Sequence, residues 1–445
     1  MTAVLDFAVS DAPEVQAQLD RLDTLSVPTG RLGLDVIREL LERLGNPQDA
    51  LPPVFHVAGT NGKGSTCAYL RAALEAAGKT VHVFTSPHLV RFNERIRVSG
   101  KLITDEMLAD HLREVLDVAE AHGIATSFFE AATAAAFLAF SRNPADACVI
   151  EVGLGGRLDA TNILAEPVAC GIAALGIDHE QFLLSPCEEA PADPFARIAF
   201  EKAGIAKTGS PLVTLDYAEA MNASIDAQAD RADAHVLRQG RDWSIALTDT
   251  GFTFRDAKGS FDLPRPRLPG DHQVQNAGLA IAMLRSQSAL DVSEDALRRA
   301  METANWPARL QRLSSGPLTA LLPEGTPCWL DGGHNVDAGN ALDAHFRGCG
   351  RTIHLVIGML ANKNPAALVA PLADRLASVT VVPVPTHAYH DPEAFALPGV
   401  PAPVAAQTVA DALSGLKVEP GEIVLIAGSL YLAGGVLRAN GEVPD

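Results

Sequence analysis

Seven residues, Gly59-Thr60-Asn61-Gly62-Lys63-Gly64-Ser65, follow the apolar run PVFHVA and precede TCAYLRAAL, which has helical spacing of its apolar residues. A strand that ends in a tight glycine turn and feeds a helix offers backbone N–H groups and the positive end of the helix dipole to an anion. The loop is not the G-x-x-x-x-G-K-[ST] pattern, because two residues separate its first glycines and Gly64 stands between Lys63 and Ser65. It keeps what phosphate chemistry needs: backbone donors, a lysine for the β- and γ-phosphates, and hydroxyls at the helix start. Glycine turns are structural more often than catalytic. A lysine inside one, placed between strand and helix, points to nucleotide binding.

Three later segments carry further candidates. TSPHLVRFNERIRVSG, residues 85–100, supplies Ser86 and His88 with Arg91, Arg95 and Arg97, and reads equally as an anion site or as a polar loop with a basic edge. VIEVGLGGRLDATN, residues 149–162, brings Glu151 out of an apolar strand ahead of three glycines, Arg157 and Asp159. A carboxylate at a strand end near phosphates suits Mg2+, which takes hard oxygen ligands; the alternatives are a helix cap or a salt bridge with Arg157. GIDHE adds Asp178 and His179, and a lone histidine there is more often a structural hydrogen-bonder.

These residues need strand ends to hold them. PVFHVAG, TVHVFTS, ACVIEVG and VACGIAALGI alternate with helical stretches, the sign of a parallel sheet whose ligands gather at the carboxyl ends of the strands. Beyond about residue 205, DWSIALTDTGFTFRDAKGSFDLPRPRLPGDHQ reads as short antiparallel strands and loops, followed by a helix over residues 275–290. After the Pro-containing ETANWPARLQRL comes a second alternating series, CWLDGG, TIHLVIGML, SVTVVPV and EIVLIAGS, so a domain boundary is expected near residue 305.

Composition bounds the function. A chain of 445 residues exceeds one compact core, and 47% hydrophobic with 20% charged residues is ordinary for a soluble globular protein. No apolar run is long enough to span a membrane, and the acidic start MTAVLDFAVSDAPEVQAQLD lacks the pattern of a secretory signal. Cys67, Cys148, Cys170, Cys187, Cys328 and Cys349 form no C-x-x-C pair, which fits reduced thiols in the cytoplasm better than disulfides or a zinc site. A net charge of −19 repels nucleic acid, although a local basic pocket could still hold a small anion.

In order and spacing, HVAGTNGKGS, TSPHLVRFNERI, FFE, EVGLGGRLDATN, DH, EKAGI, LDGGHN and AGSLYL resemble the dihydrofolate synthase/folylpolyglutamate synthase family of Mur-type ligases, over residues 26–435. The resemblance implies an α/β chain: an N-terminal P-loop-type ATPase domain with a parallel-rich sheet, residues 1–304, binding ATP and a pterin, and a smaller Rossmann-like C-terminal glutamate-ligase domain, residues 305–445. It implies reaction in the cleft between them. An acceptor carboxylate attacks the γ-phosphate of ATP, and the amino group of L-glutamate then attacks the acyl phosphate. Acceptors would be dihydropteroate and reduced folates. Alternatives are a folylpolyglutamate synthase alone, another Mur-type amide ligase, or a nucleotide-binding scaffold without catalysis.

By the same resemblance, Gly59, Thr60, Asn61, Gly62, Lys63, Gly64 and Ser65 cradle the triphosphate, with Lys63 neutralising the charge of the moving phosphoryl group. Ser86 and Glu151 match ligands of one Mg2+ and His179 a ligand of a second. Lys202 in EKAGI matches a lysine that is carbamylated in the family, where the added carboxylate helps orient the second ion. Asn276, Arg309 and Asp331 match ATP contacts. Thr29, Phe129, Glu130, Asp159 and Ala160 match a pterin slot, although adjacent Phe128 and Phe129 are more commonly core residues. His334, with Asn335, would shape the glutamate site. The implied partners are small molecules only, with no nucleic acid or membrane, for a cytoplasmic monomer. Two features depart from the family: Asn362-Lys363-Asn364 stands where Asp-Lys-Asp is usual, and the stretch from His179 to Lys202 is long, suggesting a surface insertion.

Overall fold

The computed structural model describes residues 9–25, 33–177, 180–184, 189–348 and 350–445. The chain divides into two compact units, one running through Arg267 with Gln273–Asn305, the other comprising Leu268–His272 and Trp306–Asp445.

In the first unit the strands are β1 (Val54–Ala58), β2 (Val81–Phe84), β3 (Ile96–Val98), β4 (Lys101–Leu102), β5 (Ala147–Glu151), β6 (Ala169–Ile172), β7 (Pro211–Thr214) and β8 (His235–Arg238). They form one sheet in the order β4-β3-β2-β5-β1-β6-β7-β8. Pairing is parallel from β2 to β8, and only β3 and β4 run antiparallel at one edge. Every residue of β1, β2, β5 and β6 is buried, which is why these strands read as continuous apolar runs rather than as alternation. Their register sets Val57 opposite Glu151 and Ala58 opposite Ile172, so the loops that leave β1, β5 and β6 start side by side.

The expected antiparallel segment is a three-stranded meander of β9 (Trp243–Leu247), β10 (Gly251–Asp256) and β11 (Gly259–Pro264). The helix expected over 275–290 runs instead over His272–Ser286. Its start is set by Gly270, whose φ of +101° turns the chain just ahead of it. Its end is set by Gln287, whose side-chain amide donates to the carbonyls of Leu284 and Leu290 and accepts from the Leu290 N–H. That helix lies close on β6, where a Cβ added to Gly171 would come 2.3 Å from the Met283 sulfur.

The second unit adds β12 (Gln311–Arg312), β13 (Cys328–Leu330), β14 (Ile353–Ile357), β15 (Leu376–Val381), β16 (Val404–Ala405) and β17 (Ile423–Ala427), in the order β12-β13-β17-β14-β15-β16. All neighbours are parallel except β12 with β13. From β14 the chain steps outward to β15 and β16, then returns to β17 on the other flank of β14, a Rossmann-like reversal.

One buried polar contact ties β1 to a later loop. His56, wholly buried in β1, places Nε2 2.9 Å from Thr161 Oγ1, which lies 2.5 Å from Asp159 Oδ1. The single hydroxyl proton goes to the carboxylate, so the ring donates from Nε2. Burial, and secondarily Lys207, lowers the His56 pKa to about 3. The unfolded chain therefore takes up a proton near pH 6.5 that the folded chain refuses. Stability from this residue is complete above that pH and is lost as pH falls towards about 3, by at most about 1.4 kcal/mol per pH unit. The urea midpoint is expected to fall more steeply between pH 7 and pH 5 for the wild type than for His56→Gln; equal slopes would contradict this.

Candidate functional site

The phosphate loop is shaped by hydrogen bonds that its sequence does not announce. The N–H groups of Thr60 and Asn61 both donate to the carbonyl of Ala174, at 2.8 and 3.1 Å, and Thr60 Oγ1 donates to the Gly176 carbonyl at 2.8 Å. Those two amides thus serve to stitch β1 to the segment after β6. The helix Lys63–Ala76 starts next, and the N–H groups of Lys63, Gly64 and Ser65 fall in its first turn, where helix geometry provides no internal acceptor. The half of the loop whose amides have no acceptor within the helix is its second half.

Gly62 caps that helix with a φ of +82°, and a Cβ there would come 2.3 Å from Asn276 Oδ1. Conformation and close approach both demand glycine. Asn276 is held by Gln273, whose Oε1 accepts from its amide at 3.2 Å and whose own amide donates to Ser65 Oγ at 3.3 Å. Sequence reasoning found Asn276 and missed Gln273; the signal was its position three residues earlier on the same helix face.

Lys63 Nζ folds back to the carbonyls of Gly59 and Thr60, at 3.1 and 3.4 Å. Lys202 ends the helix Pro194–Ala203, is only 5% exposed, and donates from Nζ to the same Gly59 carbonyl at 2.9 Å. Two ammonium groups, 139 positions apart in the sequence, thus converge on one backbone oxygen of the phosphate loop.

Glu151 leaves β5 buried, with Oε2 accepting from the Ser86 N–H at 3.3 Å. The Cys67 thiol, one turn into the loop's helix, is pushed well up by burial first and by the Glu151 carboxylate second, while Lys63 acts the other way; both charges therefore reach it. A hydroxyl residue and a buried carboxylate at the ends of neighbouring strands are the hard oxygen donors a divalent ion takes, so Ser86 and Glu151 fit Mg2+. Among the described residues no group of three or more His, Cys, Asp and Glu could hold a metal. His179 and Thr29 lie outside the described residues.

The remaining residues expected to line a pterin slot hold local structure. Asp159 is buried, its Oδ2 accepting from the Leu154 N–H and its Oδ1 from the Thr161 N–H and hydroxyl; burial raises its pKa against these bonds. Ala160 opens the adjoining turn and packs into the core. Glu130 closes a capping box with Ser127 at the start of the helix Phe128–Ser141. The half-buried ring of Phe129 abuts Gly153, where a Cβ would lie 2.3 Å from its tip, and tilts against Phe84. Arg95 is no surface anion site: it is wholly buried, donates to His88 Nδ1 at 2.8 Å and lies over the rings of Phe92 and Phe128.

Within the second unit, Asp331 follows β13 and accepts from the N–H groups of Leu310 at 2.8 Å and Gly333 at 2.7 Å. Arg309 lies beside it: a Cβ on Gly332 would be 3.1 Å from its Nη1. Ala308 and Leu310, on either side of Arg309, hold φ values of +54° and +44°. Such non-glycine residues cost of order 1–3 kcal/mol each, a strain held in place here by Asp331 and by the Gln311 side chain. His334 Nδ1 reaches the Gly332 carbonyl at 3.4 Å, and Asn335 caps the helix Val336–Arg347. Arg309, Asp331 and His334 are therefore brought together.

No family model matches the chain. The Dihydrofolate synthase/folylpolyglutamate synthase of Escherichia coli K12 is 36% identical over 364 residues, covering 81% of this chain and 79% of that protein. The chain belongs to the dihydrofolate synthase/folylpolyglutamate synthase family. It is accordingly an ATP-dependent ligase of the glutamate-adding class. The structure of E. coli FolC in complex with DHPP and ADP superposes with a TM-score of 0.83 at 30% identity, covering 95% of this chain and 97% of that one. A bifunctional folylpolyglutamate synthase/dihydrofolate synthase with Mn, AMPPNP and L-glutamate bound matches with a TM-score of 0.82 at 28% identity, over 96% and 97%. No described helix is long and apolar enough to cross a membrane.

Within the Asn362-Lys363-Asn364 segment, two residues hold local structure. Asn364 Oδ1 accepts from the Ala366 N–H at 3.0 Å and caps the helix Pro365–Val369, while the Lys363 carbonyl lies 2.7 Å from His390 Nε2. Asn and Asp cap almost equally well, so exchanging one for the other preserves the helix start. Thermal unfolding should find Asn364→Asp as stable as the wild type and Asn364→Ala weaker by about 1 kcal/mol. Gly62→Ala should cost of order 1–3 kcal/mol and raise the KM for ATP, because both its φ and Asn276 oppose a side chain; an unchanged KM would mean that loop shape does not matter.

Proposed function

We propose that this chain joins L-glutamate to 7,8-dihydropteroate, forming dihydrofolate, and extends reduced folates with further glutamates, in each case with ATP. The observation that carries the reading is the convergence of Lys63 and Lys202 on the Gly59 carbonyl of a phosphate loop, beside the buried Glu151. The likeness to the FolC complex with DHPP and ADP supports the acceptor, and that to the complex with Mn, AMPPNP and L-glutamate supports the other substrates.

In the first step a carboxylate oxygen of the acceptor attacks the γ-phosphorus, the bond to the ADP oxygen breaks, and an acyl phosphate forms. In the second the neutral amino group of glutamate attacks the acyl carbon, phosphate leaves, and the nitrogen loses a proton. Both steps are governed by positioning and by preorganised charge. The first-turn amides of Lys63, Gly64 and Ser65 hold the phosphates, and Lys63 swings from the loop carbonyls to the transferring group. Ser86 and Glu151 would hold one Mg2+ and His179 a second, which Lys202 would orient once carbamylated; the ions would screen phosphate charge. Asn276, Arg309 and Asp331 contact the nucleotide, and His334 the glutamate. Phe129 packs on the pterin, whose slot Thr29, Glu130, Asp159 and Ala160 complete. Residues 1–304 thus take ATP and the pterin, and residues 305–445 carry the glutamate-ligase part. The enzyme acts as a cytoplasmic monomer, in keeping with the buried free thiols of Cys67, Cys148, Cys170 and Cys328.

The test is ADP release with ATP, Mg2+ and L-glutamate, comparing dihydropteroate, tetrahydrofolate and no acceptor, with products identified by mass. Turnover is expected with both acceptors and only background without one. Turnover with one alone would reduce the protein to a single activity, and silence with both would point to another Mur-type acceptor or to a protein that only binds. Lys63→Ala should lower kcat by roughly 10²–10³-fold, as expected for loss of a preorganised charge.

A further inference from the structure

We propose that Arg157 and Glu201 are positioning residues for Lys202, clamping the end of its helix so that its amino group meets the phosphate loop. The inference rests on the reading of Lys202 given above. Arg157 follows the strand end that carries Glu151, and Glu201 precedes Lys202. Their side chains form a two-bond fork, Arg157 Nε to Glu201 Oε2 at 3.1 Å and Nη2 to Oε1 at 2.8 Å. The backbone repeats the link, since the Arg157 N–H donates to the Glu201 carbonyl at 2.7 Å.

Helix C-termini leave carbonyls without internal partners. Here the loop after Glu151 supplies the donors: the Arg157 N–H serves Glu201, and the Asn162 amide bridges the carbonyls of Arg157 and Gly204 at 3.0 and 2.9 Å. Two glycines permit this approach. A Cβ on Gly156 would lie 2.9 Å from the carbonyl oxygens of both Glu201 and Lys202, and one on Gly204 would lie 2.3 Å from Arg157 Cβ. The guanidinium also covers the Phe200 ring at 5.2 Å. One face of the last helical turn is thus fixed to the Glu151 loop while Lys202 Nζ reaches Gly59.

A largely buried ion pair is weak evidence for stability in itself, since a well-packed apolar pair often serves as well. What the fork adds is a defined placement for the neighbouring side chain, and its planar two-bond geometry is the property that Lys or Met in place of Arg157 would lack.

The test uses the full-length protein and two readouts. The first is the rate of acetylation of Lys202 by an N-hydroxysuccinimide ester, followed by mass spectrometry in bicarbonate-free buffer without nucleotide or metal, where the amine carries no carbamate. The second is kcat and KM for dihydropteroate. In Glu201→Gln and Arg157→Met, Lys202 is expected to label faster and kcat to fall about ten- to hundredfold, the usual effect of losing an orienting partner, with KM unchanged. Arg285→Met breaks a comparable two-bond pair with Asp256 and is expected to lower the melting temperature without altering either readout. If Arg157→Met does not fold, the near-isosteric Glu201→Gln decides. Wild-type labelling and kcat in Glu201→Gln, with Lys202→Ala inactive, would overturn the positioning role alone. Full activity in Lys202→Ala would overturn the reading of Lys202 and this inference with it.

Discussion

One carbonyl oxygen, that of Ala174, accepts from two successive amides of the phosphate loop, and the site is built outward from that junction. It exists because β1 and β6 are parallel neighbours whose ends are in register, Ala58 beside Ile172. With the first half of the loop held to β6, the chain can turn at Gly62 and start a helix whose first N–H groups have no acceptor within it. A shifted register would separate these partners and leave buried backbone groups unpaired, which is costly. The loop is therefore a product of the sheet as much as of its glycines.

Charge is distributed against the average of the molecule. A chain of net charge −19 brings Lys63 and Lys202 to one backbone oxygen of the phosphate loop, where an anion gains from Lys63 and from the helix dipole. Glu151 lies at the next strand end, within electrostatic reach of the helix. Around this charged spot the buried polar groups are kept in defined states: His56 neutral, donating to Thr161, which donates to Asp159. That chain fixes the LDATN segment to the central strand without adding a net charge to the core from the histidine.

The second unit reaches its local order by a different route. Strain at Leu310 is offset by the Asp331 carboxylate, which also takes the Gly333 amide, and strain at Ala308 by the Gln311 side chain, so the backbone is held on both sides of Arg309. At 362–364, Asn364 accepts from the Ala366 N–H and caps the helix Pro365–Val369.

Much of this was legible in residue order. Strands buried on both faces leave unbroken apolar runs, and a glycine loop between strand and helix leaves a local pattern, so the parallel sheets, the phosphate loop and the antiparallel meander could be read from the chain. The helix bounds near 272 and 286 could not, because a side chain, Gln287, ends the helix rather than a breaker residue. Nor could Gln273 or the burial of Arg95 be read, since each depends on what lies opposite. By itself the sequence determined the family motifs and the periodicities of the elements that bear them, because those are local properties. Only the tertiary structure decided that Thr60 and Asn61 bind Ala174, that Lys63 and Lys202 share one oxygen, and that Arg157 grips the helix of Lys202. Contacts between distant segments follow from strand order and register, which no local pattern encodes.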